Sequence, residues 1–205
     1  MPTTRSYHDA CPIARGLDVV GERWALLVVR ELLFGPRRFG DLRRALPAVS
    51  SNLLTDRLRE LEAHGVLVRR GAPAVYELTD AGRELEPVLL ALGRWGARRS
   101  LPEAPTLSAT AVLLYLRDSR QTGHPASYRM DLDGRTWTID VTAGGIRVRT
   151  GEPDHPVARL TTDPWTLNAL LADPELLDAR LADGSISVEG DLGATRQLLT
   201  ARGGA

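Results

Sequence analysis

Apolar positions in the first hundred residues recur mostly at helical spacing. Ile13, Leu17 and Val20 share one face of a short helix that Pro12 opens and Gly21 ends. Glu22 to Phe34 is apolar nearly all round (Trp24, Leu26, Leu27, Val28, Val29, Leu32, Leu33), which predicts a second helix buried on several sides and stopped by Gly35-Pro36. Phe39 to Leu46 gives a third helix, closed by Pro47. A fourth, capped by Ser50 or Ser51, runs to His64 and ends at Gly65. Val66 to Arg70 and Val75 to Leu78 read as short strands joined through Gly71-Ala72-Pro73, and a long helix follows from Asp80 to about Arg99.

The period changes from Ser127. Tyr128, Met130 and Leu132 alternate with Ser127, Arg129, Asp131 and Asp133, and Asp133-Gly134 marks a tight turn. The return strand places Trp137, Ile139 and Val141 inward against Thr136, Thr138 and Asp140. Ile146 and Val148 then alternate with Arg147 and Arg149, and Val157 to Thr161 supplies a fourth strand, so the pattern predicts an antiparallel meander with one wet face. Four Leu-rich segments, Leu107 to Arg117, Pro164 to Leu171, Glu175 to Leu181 and Leu192 to Leu199, are helices able to cover the dry face; Ile186 to Glu189 is a short strand. An Arg-rich helical pattern gives way to two prolines between Arg98 and Pro105. The expected organisation is a first domain over 1–99, a linker over 100–105 and a second domain over 106–205. The fold class is α+β: an N-terminal winged helix-turn-helix, then an antiparallel sheet covered by helices on one face.

Composition narrows the chemistry. With 205 residues and 43% apolar content, each domain can build a core. No apolar run reaches the roughly 18 residues a membrane span needs, and the first ten residues lack the apolar segment of a secretion signal, so a cytoplasmic protein with no membrane partner is expected. One cysteine, Cys11, makes no internal disulfide, and His8, His64, His124 and His155 have no metal-ligand spacing. There is no nucleophile elbow and no glycine-rich phosphate loop; neither an enzyme, a metal nor a cofactor is expected. The 26 basic residues, all Arg, balance 26 acids, yet the first 100 residues hold 16 Arg against 12 acids and the remainder 10 against 14. Only the first half, at +4, is biased toward an anionic partner.

The fourth helix supplies the chemistry for one. Leu54, Leu58 and Leu61 form a stripe, and Asn52, Thr55, Asp56 and Arg59 lie opposite, with Ser51 at the helix start. Short hydrogen-bonding side chains beside an Arg can read base edges in a major groove; an ordinary solvated face is the alternative. Arg37 and Arg38, entering the third helix, and Arg69 and Arg70, on the wing, are candidates for phosphate contact. Arg57 lies nearer the core stripe, a candidate either for phosphate or for a salt bridge to an acid such as Glu31. Leu85, Val88, Leu89, Leu92 and Trp95 make a stripe too apolar for water, pairing two subunits or packing within the chain. Cys11, just before Pro12, sits where a helix start and Arg15 favour a thiolate, making it a candidate redox thiol unless it is inert.

Cys11-Pro12-Ile13-Ala14-Arg15, Gly21-Glu22-Arg23-Trp24, Arg30-Glu31-Leu32, Gly35-Pro36-Arg37-Arg38-Phe39, Leu53 to Leu61 and Tyr76 to Gly82 together resemble the HxlR-type winged-helix transcriptional regulators over about residues 7–99. The resemblance implies a dimeric, cytoplasmic, bacterial regulator of double-stranded DNA whose first and last domain helices pair the subunits. Some members use a cysteine at the place of Cys11 as a redox sensor, and others carry it without that role. The helix and strand order of 106–202, with Asp183 to Asp191 as the closest local match, resembles the sterol-carrier-protein-like fold. That implies an apolar cavity, which Tyr128, Met130, Trp137, Ile139, Leu167 and Leu171 either line or fill. The expectation is a homodimer that binds a palindromic operator and senses a small apolar ligand through its second half. The alternative is a lipid carrier with the winged helix as a dimerisation adaptor.

Overall fold

Pro12, whose missing N–H is no loss at a helix start, opens α1 (Pro12–Val20). Trp24 takes a left-handed φ of 80°, so α2 (Ala25–Leu32) begins three residues later than periodicity alone suggests. Arg37 and Arg38 do not enter a helix. They form a two-residue strand, β1 (Arg37–Arg38), that leads into α3 (Phe39–Ala45). Ser50 caps α4 (Ser51–Ala63) by accepting from the Leu53 amide at 3.3 Å. The wing is β2 (Leu67–Arg70) and β3 (Val75–Leu78), and β3 lies between β1 and β2 in one antiparallel sheet.

The long helix expected after the wing is two helices, α5 (Asp80–Arg83) and α6 (Glu86–Gly96). Pro87 has no N–H to bond the carbonyl four residues back, and Glu84 and Leu85, both with right-handed dihedrals, link the two helices. The structure, a computed structural model, describes residues 6–118 and 125–200; the chain divides into two units at Ser100. Residues 1–5 and His124, read above for a leader and for metal ligands, lie outside the described residues.

In the second unit α7 (Ala109–Asp118) precedes β4 (Ala126–Leu132), β5 (Arg135–Thr142), β6 (Gly145–Thr150) and β7 (Ala158–Thr162). Then come α8 (Pro164–Ala172), a 3₁₀ turn (Pro174–Leu176), α9 (Leu177–Ala182), β8 (Ile186–Gly190) and α10 (Leu192–Leu199). The sheet order is β6-β5-β4-β7-β8. β7 therefore does not extend the meander: it crosses back and pairs parallel to β4, Tyr128 opposite Ala158 and Met130 opposite Leu160. The other strand pairs are antiparallel, as the alternation predicts.

Tyr128, Met130, Leu132, Trp137, Ile139 and Val141 are buried on one face, with Val112, Leu113, Leu167, Leu170, Leu177 and Leu198 buried in the helices. The opposite face is less wet than alternation suggests. Thr138 is fully buried and donates its hydroxyl to the Gly151 carbonyl at 2.8 Å, because the return toward β7 turns over it. Arg129 bridges the same face, bonding Asp131 at 2.9 Å and Glu152 at 2.5 Å.

Candidate nucleic-acid interface

Leu54, Leu58 and Leu61 are buried, which anchors α4 by one face and turns the other outward. Ser51, Asn52, Asp56 and Arg59 are exposed there and Thr55 is half-buried. The side chains of Asn52, Asp56 and Arg59 make no hydrogen bond or ion pair among the described residues. The Thr55 hydroxyl is engaged, bonded to the Ser51 carbonyl at 2.9 Å.

Two phosphate candidates are corrected. Arg37 is buried, with Nη1 3.2 Å from Oε2 of Glu31, and a guanidinium held against a fully buried carboxylate has no reach toward a ligand. Arg57 is also buried and paired, with Glu60 at 2.5 Å and Glu22 at 3.6 Å. The salt bridge expected as one alternative for it exists, but not with Glu31, which Arg30 and Arg37 hold.

Arg38, Arg69 and Arg70 remain exposed. The register sets Arg38 and Arg70 on either side of Val75, hence on one face of the wing sheet, two strand spacings or about 10 Å apart. Arg70 lies 3.4 Å from Glu77, an exposed pair worth little. Sequence reasoning missed Arg43. Its guanidinium donates to Pro47 O at 3.0 Å and Ser51 Oγ at 3.3 Å, spanning the turn from α3 to α4. An Arg one turn before a helix end is a usable signal, since unpaired carbonyls gather there.

The α6 stripe divides. Val88, Leu92 and Trp95 are exposed, Trp95 at 59%, whereas Leu89 is buried in its own unit at 8% and Leu85 is half-buried. Spacing by three and four had grouped residues of one broad face whose inner edge, at Leu89, is buried and whose remainder is not. Ile13 and Leu17 on α1 are exposed as well, and Arg99 stacks on the Trp95 ring at 4.5 Å. Cys11 is exposed at the N-cap of α1, where its amide, not its sulfur, is engaged, donating to Asp9 Oδ1 at 2.9 Å. A cavity of about 260 Å³, not foreseen from sequence, opens between Ser6, Tyr7, Leu17, Asp18, Gly21 and Glu22.

Of the residues expected at an apolar pocket in the second unit, Tyr128, Met130, Trp137, Ile139 and Leu167 are buried and Leu171 is half-buried. The Tyr128 hydroxyl donates to the Ala194 carbonyl at 3.0 Å. Burial, then the nearby Asp191 charge, pushes that phenol above its usual range. Among the described residues no cluster of His, Cys, Asp and Glu could hold a metal ion, and no helix is long and apolar enough to cross a membrane.

The family model of HxlR-like helix-turn-helix proteins matches residues 19–103, and that of the SCP-2 sterol transfer family matches residues 116–201. The uncharacterized HTH-type transcriptional regulator sll1512 of Synechocystis is 45% identical over 92 residues, 42% of this chain and 68% of that protein. YvaP of Bacillus subtilis, another uncharacterized HTH-type transcriptional regulator, is 38% identical over 93 residues, 42% of this chain and 86% of its own length. Among solved structures, the redox regulator HypR in its oxidized form aligns at 37% identity and a TM-score of 0.42, over 44% of this chain and all of that one.

Proposed function

The chain belongs to the HxlR-like helix-turn-helix transcriptional regulators, and from that premise we propose that it binds a palindromic operator as a homodimer in the bacterial cytoplasm. The observation that carries this reading is the outer face of α4, where Asn52, Asp56 and Arg59 stand exposed with no partner among the described residues. Groups that can read base edges are left unused by the fold, and Arg38, Arg69 and Arg70, exposed on the wing sheet, can meet phosphates and position a duplex. A two-fold dimer lets two such helices meet successive major grooves about one turn apart.

The match of the second unit to the SCP-2 sterol transfer family supports reading it as the module that takes a small apolar ligand. Regulation then requires the ligand to bind one dimer geometry better than the other, since equal affinity shifts nothing. The same match favours a second reading, a carrier of hydrophobic molecules with the winged helix as adaptor. Three exposed wing arginines and a polar α4 face count against it.

Selection of duplexes from a randomised pool by the full-length protein, followed by anisotropy at several salt concentrations, tests the first reading. Expected are an inverted-repeat consensus and affinity that falls steeply with salt. Binding that is absent, or indifferent to sequence and salt, overturns it. Native mass spectrometry of protein taken from its host tests the ligand: a co-purified apolar molecule supports a sensor or carrier, and a bare chain supports a closed core.

A further inference from the structure

Hydrogen bonds have direction, and on α4 the directions are forced by atom type. A guanidinium carries donors only, so in the 3.3 Å contact between Arg43 Nε and Ser51 Oγ the hydroxyl oxygen is the acceptor. The proton on that hydroxyl finds no acceptor among the described residues. One turn along, Thr55 shows the reverse. Its Oγ1 lies 2.9 Å from the Ser51 carbonyl, which can only accept, so the Thr55 proton is committed inward and lone pairs and methyl remain outward. Residues 51 and 55 are neighbours on one helix face. Thr55 is thereby left able only to accept, while Ser51, with one lone pair taken by Arg43, keeps its proton free.

Arg43 also fixes where they stand. Its Nη1 donates to Pro47 O at 3.0 Å and Leu46 O at 3.5 Å, the carbonyls that leave α3, while Nε holds the first residue of α4. One side chain thus ties the end of one helix, the turn and the start of the next.

We infer that Arg43 is a positioning residue that sets Ser51 as a hydrogen-bond donor toward an acceptor atom of DNA, with Thr55 beside it as an acceptor. This rests on α4 being the reading helix. For Ser51 the matching atoms are guanine N7 or O6, adenine N7, thymine O4 or a phosphate oxygen. For Thr55 they are the amines of adenine or cytosine, the base donors of the major groove. Without Arg43, neither lone pair of the Ser51 hydroxyl is occupied and nothing fixes its rotation, so its proton is no longer held toward one acceptor.

The test compares the full-length wild type with Arg43→Gln, Arg43→Lys, Ser51→Ala and the double variant Arg43→Gln/Ser51→Ala, on wild-type-selected and random duplexes. Ser51→Ala is expected to weaken operator binding roughly tenfold. Arg43→Gln is expected to lose about as much, and the double variant scarcely more than either, because both remove one interaction. Arg43→Lys should not rescue, since a point charge cannot span the turn and hold Ser51 together. If the acceptor is a base, Ser51→Ala loses a preference at one half-site position in a fresh selection; if it is a phosphate, the consensus stays and both duplexes weaken alike. Losses that add, full rescue by Lys with a salt slope lowered by about one in Arg43→Gln, or no effect of Ser51→Ala overturn the inference alone. Should Arg43→Gln not fold, Ser51→Ala against Arg43→Lys makes the same comparison. A wild type that binds no duplex overturns the proposed function, and this inference with it.

Discussion

Arg37 of β1 holds its Nη1 3.2 Å from Oε2 of Glu31, a carboxylate on α2 with no exposed side-chain surface. Two elements far apart in role, a core helix and the strand that edges the wing, are joined by a buried charge pair. Removing one partner of such a pair leaves the other charged and poorly solvated. Arg37→Ala is therefore expected to cost about 3 kcal/mol, the low end of such losses because Arg30 still holds Glu31 at 2.8 Å. Replacing both by Met should cost less than Arg37→Ala alone. Urea unfolding of the three chains checks this order.

Gly82 is required by contact, with no contribution from an unusual backbone angle. A Cβ built there would lie 2.0 Å from the Val66 carbonyl oxygen and 3.1 Å from Leu78 Cδ2. Backbone at the root of the wing has no rotamer by which to move aside. Gly82→Ala is expected to destabilise by about 1 to 3 kcal/mol. Gly16, inside α1 with nothing within 4 Å of its Cβ position, is the control, where Ala should stabilise by about 0.5 to 1 kcal/mol. Thermal unfolding of both variants reads the difference in sign.

Much of this architecture was legible because local chemistry and burial agree. The Leu54, Leu58, Leu61 stripe and the alternation around Met130 and Trp137 each have one physical solution, and of the two serines offered as cap the fold uses Ser50. What escaped was the identity of neighbours. The pattern from Ala158 to Thr162 reads the same beside β6 or beside β4, and only the fold decides that β7 lies parallel to β4. Arg37 and Arg38 look alike in sequence; adjacent strand residues face opposite ways, and burial of Glu31 under one face makes Arg37 structural while Arg38 stays exposed. Arg57 shows the same limit in part: Glu60, its nearer partner, is three positions on, but Glu22, its second, lies 35 positions away. For the α4 face, sequence gave the residue types and the structure supplied the direction of their hydrogen bonds.

Arg38, Arg69 and Arg70 differ from Arg37 in a way that salt dependence can read. Each exposed arginine that meets a phosphate releases counterions, so Ala at any one of the three should lower the magnitude of the salt slope by about one. Operator and random duplexes should weaken alike. Arg37→Ala, folded and measured below its unfolding range, should leave the slope unchanged. Anisotropy from low to moderate salt separates the two groups.

Asp163 connects the stability of the second unit to pH. It caps α8, accepting from the Trp165 amide at 2.8 Å, the Thr166 amide at 3.1 Å and the Thr166 hydroxyl at 2.5 Å. Burial pushes its carboxyl up, but these bonds, the Thr166 hydroxyl first, outweigh it and hold the carboxyl below its usual range. A folded value below the unfolded one, about 3.9, means the contribution is complete above that pH and is lost as pH falls through the folded value. Asp163→Asn keeps the cap without the titration. It should behave like wild type near pH 7 and lose less stability as pH falls below about 4, as followed by near-UV circular dichroism; an identical acid profile would show that Asp163 does not link this unit to pH.

Leu89 and Leu92 lie one turn apart on α6 yet differ in burial, the first buried at 8% and the second exposed at 47%. Substitution at each therefore asks a different question. Leu89→Ala removes core packing and should cost about 2 to 5 kcal/mol in any assembly state. Leu92→Asp puts a charge among Val88, Leu92 and Trp95, a face that with Ile13 and Leu17 leaves five large apolar side chains exposed. If two copies cover that face, Leu92→Asp shifts sedimentation to the monomer while the isolated chain keeps its fold. Operator affinity should then fall more than tenfold, because the second half-site is no longer held at high effective concentration. A Leu92→Asp protein that still sediments as a dimer would place the subunit contact elsewhere, and a wild type that is monomeric would leave the palindromic operator without a geometric basis.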